Sequence, residues 1–319
     1  MAKSEDFNQE QFKLSGVVGH QIEFLSANPV NYSQAITDTS KCETIRIEGK
    51  LFVPESSEPL PAVIIVPGSL GVSDNHVSHA ETLISEGIAA FVIDPFTKRN
   101  VQSTVENQTH YSFAASAFDV LAALRVLCEY PNVDANRISA QGHSRGGSAV
   151  LTAAVRTFAD AIVGPKYTFK GIYAVYPWCG HQFLRPDTGL TRVRAIIGER
   201  DDWLSVQQVQ SQIQAIKLSG GSSSIRIVEG ASHSFDREED LHQIPEASVT
   251  PQAPTIYLNS NGAMIDPRSG DADPTATDRT HFVASVEAGF GRRGAHIGGT
   301  EEEQGIFRED MLAFHKSNL

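Results

Sequence analysis

The stretch RISAQGHSRGGSAV, Arg137 to Val150, carries a short apolar run into a serine set between glycines, followed by a segment of small residues. The run reads as a buried strand, the glycines as a tight turn and the sequel as a helix. A strand that turns sharply into a helix through G-x-S-x-G, here Gly142 to Gly146, lifts the Ser144 hydroxyl clear of a sheet. As a bare pattern it is common, so its meaning depends on what precedes and follows it.

Upstream, Val17 to Phe24 and Thr44 to Val53 alternate as strands, while Ala62 to Val66 is continuously apolar, as in a strand buried on both faces. His76 to Gly87 and Ser112 to Tyr130 have helical spacing, with IAAFVIDPF between them as another buried strand. Downstream of the elbow, Gly146 to Ala159 reads as one helix. GIYAVYP, VRAIIGERDDW and SIRIVEGASHSF each read as a strand ending in polar residues, with a helix over Val206 to Leu218. Alternation of this kind predicts an α/β domain: a doubly wound, mostly parallel sheet with helices on both faces and functional groups at the strand ends.

The 319 residues are expected to form a single such domain, with residues 1–43 as a strand-and-loop extension. Residues 236–300, rich in Pro, Gly, Asp and Thr, read as a long loop-rich insertion before a closing amphipathic helix. The insertion is expected either to cover the strand-end edge and shape a pocket or to form a contact in a homo-oligomer.

With 26 Lys and Arg against 38 Asp and Glu, the formal charge of −12 argues against nucleic acid or an anionic membrane surface as partner. No apolar run is long enough to span a bilayer, and the N-terminus lacks the apolar segment of a secretory signal. Cys42, Cys128 and Cys179 are odd in number and widely spaced, which suits reduced thiols. A soluble, cytoplasmic protein is expected. No Walker loop and no G-x-G-x-x-G after a strand is present, and His76, His79 and His110 are read as lying on different loops without metal-ligand spacing. No cofactor and no metal is expected.

If Ser144 is a nucleophile, an acid and then a histidine should follow it, each past a strand end. IIGERDDW supplies Asp201 and Asp202, and IVEGASHSF supplies His233, with the helix between them as the required crossover. Either aspartate satisfies the order. The oxyanion would be held by the amide of Arg145 and one from PGSLG, Ser69 or else Leu70. Trp178, in YPWCGHQF after a strand, is expected to line an acyl or alcohol pocket, and Trp203 to be structural.

The elbow GHSRGG, the segments GERDDW and GASHSF, and FVIDPFTKR together resemble the dienelactone hydrolase family of α/β-hydrolases, over roughly Ile47 to Phe235 and the closing helix. The resemblance selects Asp201 as the acid and places Arg99 where family members bind a substrate carboxylate. Two departures stand out. The type enzymes use a cysteine where this chain has Ser144, and Gly68 stands where they carry a glutamate. Both point away from dienelactone itself and toward hydrolysis of a small-molecule carboxylic ester or lactone through an acyl-enzyme. The rival readings are an acyltransferase, an amide or C–C bond hydrolase using the same triad, and a non-catalytic binding protein on this scaffold.

Overall fold

The computed structural model describes residues 3–319, and eight strands form its central sheet. They are β1 (His20–Asn28), β2 (Glu43–Phe52), β3 (Leu60–Val66), β4 (Ala89–Asp94), β5 (Val133–His143), β6 (Gly171–Val175), β7 (Arg192–Gly198) and β8 (Ser223–Val228). Their spatial order is β1-β2-β4-β3-β5-β6-β7-β8. β2 runs antiparallel to both its neighbours, and every pair from β4 to β8 is parallel.

Continuously apolar strands occupy the centre because both faces there are covered. Ala62 to Val66 and Ala89 to Ile93 are all buried, and so is Gly171 to Val175. The helices follow from handedness. After the short α1 (Tyr32–Thr37) between β1 and β2, the chain steps one way from β3 through α2 (Asp74–Ser85) to β4. It then reverses, passing through α3 (Phe113–Cys128) to β5, through α4 (Arg145–Ala154) to β6, and through α6 (Val206–Leu218) to β8. Right-handed crossovers therefore put α2 on one face and α3, α4 and α6 on the other. The closing helix α8 (Glu301–Asn318) joins α2, with the His79 ring 4.5 Å from that of Phe307. The reversal opens the crevice in which such sheets bind ligands.

Two expectations need correction. The helix after the elbow is not continuous: it breaks at Val155, whose φ of −70° and ψ of 118° are extended, and resumes as α5 (Arg156–Ile162). Asp187 accepts the Arg156 amide at that break, which a continuous helix would have used internally. The segment 236–300 is also far more ordered than its composition suggests. It contains β9 (His242–Val249) paired antiparallel with β10 (Arg292–Ile297), and the helix α7 (Asp278–Glu287). Alternation in β9 is masked by Pro245 and by a register shift between Ile244 and Ser248. Short strands at Ile256–Leu258, Met264–Ile265 and Ala272–Asp273 add to His181–Phe183 in a small sheet. α7 buries only Asp278 and Ser285, so it has no apolar stripe for a pattern search to find. It is held at its start by a capping box between Thr277 and Thr280. No described helix is long and apolar enough to cross a membrane.

Candidate active site

Ser144 sits between the end of β5 and the start of α4 with φ +53° and ψ −113°, a conformation that costs a non-glycine residue energy. The surroundings hold it there. Its amide donates to Val175 on the neighbouring strand. A methyl group on Gly142 would fall 2.8 Å from the Gly147 nitrogen, and one on Gly146 would fall 2.6 Å from the Pro67 oxygen, so neither position admits a side chain. The loop Pro67 to Gly71 runs directly against the serine: the vacant Cβ position of Gly68 lies 3.3 Å from Ser144 Cβ. Ser69 lines the same pocket as Ser144 and Arg145. Because Arg145 is the first residue of α4, its amide has no acceptor within the helix.

His233, 2% exposed, lies in the loop after β8. Its Nε2 is 3.1 Å from Ser144 Oγ and its Nδ1 is 2.7 Å from Asp201 Oδ2. With Nδ1–H donating to the carboxylate, Nε2 is left as an acceptor for the serine hydroxyl. Asp201 is itself oriented, since its Oδ1 accepts the amides of Trp203 and Leu204 at 2.9 Å each. The adjacent Asp202 turns the other way. It accepts the His296 amide at 2.9 Å and lies 2.8 Å from His296 Nδ1, tying the acid loop to β10. Burial opposes the charge on Asp202, but the hydrogen bonds from His296 and the nearby Arg292 hold its carboxyl below the usual range. The end of β10 also supports the histidine loop, where the Gly298 amide donates to the His233 carbonyl at 3.1 Å.

The pocket beside Ser144 is walled by Phe113, Trp178, Trp203, Leu204 and Phe282. Trp178 stacks on Phe113 with centroids 4.4 Å apart. Trp203 is not purely structural, because it lines this pocket and stacks on the His233 ring at 5.2 Å. The insertion supplies part of the wall through Ser248, Val249, Thr250, Asp278, His281 and Phe282.

Arg99 does not reach the pocket. Its side chain is 3% exposed, and its guanidinium pairs with Asp119 at 2.7 and 2.9 Å while donating to Asn28 Oδ1 and the Pro95 carbonyl. Those partners take four of its five N–H donors and hold the guanidinium within the fold, away from the pocket beside Ser144. Arg145 lines the pocket, but its guanidinium likewise donates to the Gln108 and Tyr111 carbonyls and to Ser116 Oγ.

A second cluster lies behind the elbow. His76 and His79 do not sit on separate loops; both lie on α2 and face inward. Asp236 Oδ2 accepts from His79 Nε2 at 2.7 Å and Asn75 Nδ2 at 2.9 Å, and Oδ1 accepts from the Tyr176 hydroxyl at 2.6 Å. Gln141 Nε2 donates to His143 Nε2 at 3.0 Å, so His143 carries its proton on Nδ1, which faces the Tyr176 oxygen at 3.1 Å. Gln141 Oε1 in turn lies 3.1 Å from His315 Nε2 on α8. Burial opposes the Asp236 charge, yet the hydrogen bonds from His143 and His79 hold its carboxyl well below the usual range. Burial pushes the His143 imidazole down, and the His76 imidazole well down. The ligand-capable atoms of His79, His143 and Asp236 lie within 4.8 Å of one another, with His79 and Asp236 at the hydrogen-bond distance of 2.7 Å. Sequence reasoning missed Asp236 and Tyr176. Tyr176 directly follows β6, whereas Asp236 lies eight residues beyond the end of β8, so a strand-end signal marks only the tyrosine.

The strand order, the single antiparallel strand near one edge and the serine at the β5–α4 turn define an α/β-hydrolase. A model of the dienelactone hydrolase family matches residues 47–253, well over half of the chain, and the chain belongs to that family, whose members are carboxylic ester hydrolases. Among solved structures, the one named m3DLH is 17% identical with a TM-score of 0.52, covering 85% of this chain and 95% of its own. A dienelactone hydrolase-like promiscuous phosphotriesterase, P91, from metagenomic libraries is 17% identical at a TM-score of 0.48, covering 85% and 97%. A propionate-bound thermophilic esterase from the Planctomycetes species Thermogutta terrifontis is 14% identical at 0.48, covering 66% and 86%. At 17% identity the likeness to m3DLH speaks for the fold alone. No match to this chain emerges among curated proteins.

Proposed function

We propose that the protein hydrolyses a small-molecule carboxylic ester or lactone through an acyl-enzyme on Ser144, with His233 as base and acid and Asp201 as its orienting carboxylate. The observation that carries this reading is the unbroken chain from Asp201 Oδ2 to His233 Nδ1 at 2.7 Å and from His233 Nε2 to Ser144 Oγ at 3.1 Å. Ser144 Oγ attacks the carbonyl carbon as its proton passes to His233 Nε2. The carbonyl oxygen becomes an oxyanion beside the amides of Arg145 and Ser69. Collapse breaks the C–O bond, and His233 returns the proton to the departing alkoxide. Water then enters, gives a proton to the same nitrogen as its oxygen adds to the acyl carbon, and His233 returns that proton to Ser144 Oγ as the C–O bond to the serine breaks and the acid leaves. Trp178 shapes the pocket for one half of the ester. The insertion, through Ser248 to Thr250 and α7, covers the strand-end edge.

Ser144→Ala should abolish turnover of p-nitrophenyl acetate while leaving thermal melting intact, and a fluorophosphonate probe should label Ser144 in the wild-type protein. Undiminished turnover by Ser144→Ala, or a label on another serine, removes the assignment.

A further inference from the structure

The α7 wall of the pocket contains polar atoms that the fold leaves without partners. Asp278, 5% exposed, spends Oδ2 on the Phe113 amide at 2.6 Å, but its Oδ1 is buried and unpartnered. His181, whose side chain is 2% exposed, lies with Nε2 2.8 Å from His281 Nδ1. Its Nδ1, 3.5 Å from Asp278 Oδ1, has no hydrogen-bond partner, and neither has His281 Nε2. All three residues line the same pocket as Ser144. Buried polar atoms are nearly always satisfied, and a group of them on one pocket wall is what a ligand's polar group would complete.

The chemistry of that group can be narrowed. A carboxylate would meet the acceptor oxygen of Asp278 as a like charge, while three of the five Arg145 N–H donors already serve Ser116, Gln108 and Tyr111. An ammonium would meet the Arg145 guanidinium, which lies 4.2 Å from the centre of the Phe113 ring on the same wall. A neutral hydroxyl suits both sides, because its one proton goes to Asp278 Oδ1 while its oxygen accepts from an imidazole N–H. Trp178, stacked on Phe113, lines the same pocket and supplies an aromatic wall next to it. Burial raises the Asp278 carboxyl to about 6 and lowers the His281 imidazole to about 4, consistent with a site that favours an uncharged guest.

We propose that Asp278, His181 and His281 form a specificity subsite for a hydroxyl group on a flat ring of the substrate, so that hydroxyaryl esters are preferred. This rests on the hydrolase reading above, but binding tests it separately. The chain has two tryptophans, Trp178 and Trp203, and both line the pocket, so their fluorescence reports occupancy. In Ser144→Ala protein, methyl 3-(4-hydroxyphenyl)propanoate should bind about tenfold tighter than methyl 3-phenylpropanoate, the worth of one well-made hydrogen bond. Asp278→Asn in that background keeps an oxygen for the Phe113 amide while turning the open acceptor into a donor, and should erase most of the difference. His281→Phe offers a second route if the first variant fails to fold.

Equal binding of the two probes overturns the proposal, as does a preference that survives both substitutions. Tighter binding of the 4-aminomethyl analogue than of the phenol would mark a cation site and overturn it as well. Turnover separates the two readings. A protein with Ser144 intact that binds with this preference but cleaves neither ester keeps the subsite and loses the reaction. Cleavage of both esters without preference keeps the reaction and loses the subsite.

Discussion

Asp201 and Asp236 are both buried carboxylates that meet a histidine nitrogen at 2.7 Å, and their surroundings differ in what lies at the far end of the chain of hydrogen bonds. From Asp201 the chain runs through His233 to a hydroxyl that faces a pocket. From Asp236 it runs through Tyr176, His143 and Gln141 to His315, with every step inside the protein. On the proposed reading the Asp201 pair can act on substrate because the second imidazole nitrogen meets a hydroxyl at a pocket. The Asp236 network, closed within the core, is a clamp. Tyr176 stands between the two, its hydroxyl on Asp236 and its ring 4.6 Å from that of His233, so the clamp braces the site from behind.

The largest effect expected from this contrast is on rate. Asp201→Asn should lower kcat by about 10⁴-fold, as when a triad's orienting carboxylate is lost, whereas Asp202→Asn, bound to His296, should cost less than about tenfold. Steady-state kinetics on p-nitrophenyl acetate decide, and the reverse ranking would exchange the two roles. For Asp236→Ala the loss should fall on stability, about 3–5 kcal/mol by denaturant unfolding, because removing a buried charge strands the donors of His79, Asn75 and Tyr176. A stable Asp236→Ala protein with full activity would show that the clamp is dispensable.

The smallest effect is a pH dependence. Burial lowers His315 to about 3, against about 6.5 for an exposed histidine. As pH falls below 6.5 the unfolded chain takes up a proton that the folded one refuses. The stability this group contributes is therefore intact above pH 6.5 and erodes by about 1.4 kcal/mol per unit below it. His281, lowered to about 4, acts in the same sense, while Asp278, raised to about 6, opposes them, since its folded form gains a proton first. Melting curves of His315→Gln between pH 6.5 and 5 should show a shallower loss than the wild type, and parallel losses would refute the assignment.

Much of the fold was legible because its signals are local. Continuous apolar runs marked the central strands, and helical spacing marked α3 and α6. The G-x-S-x-G turn needed no partner to be recognised, and the order of Ser144, an aspartate at 201 or 202, and His233 followed from strand ends, with the family resemblance selecting Asp201. The insertion was misread as loop because β9 is interrupted at Pro245 and α7 has no apolar face.

By itself, the sequence determined the sheet, the elbow and a short set of candidates, since backbone preference and burial period are written over a few consecutive residues. Only the tertiary structure decided that Asp201 rather than Asp202 meets His233, that Arg99 is spent on Asp119, and that Asp236 braces the elbow. The same holds for the open polar atoms on α7. His79 and Asp236 are separated by 157 positions and His181 and His281 by 100, so no local pattern encodes their meeting. Such hydrogen bonds exist only once the hydrophobic core has brought distant loops to the same edge of the sheet.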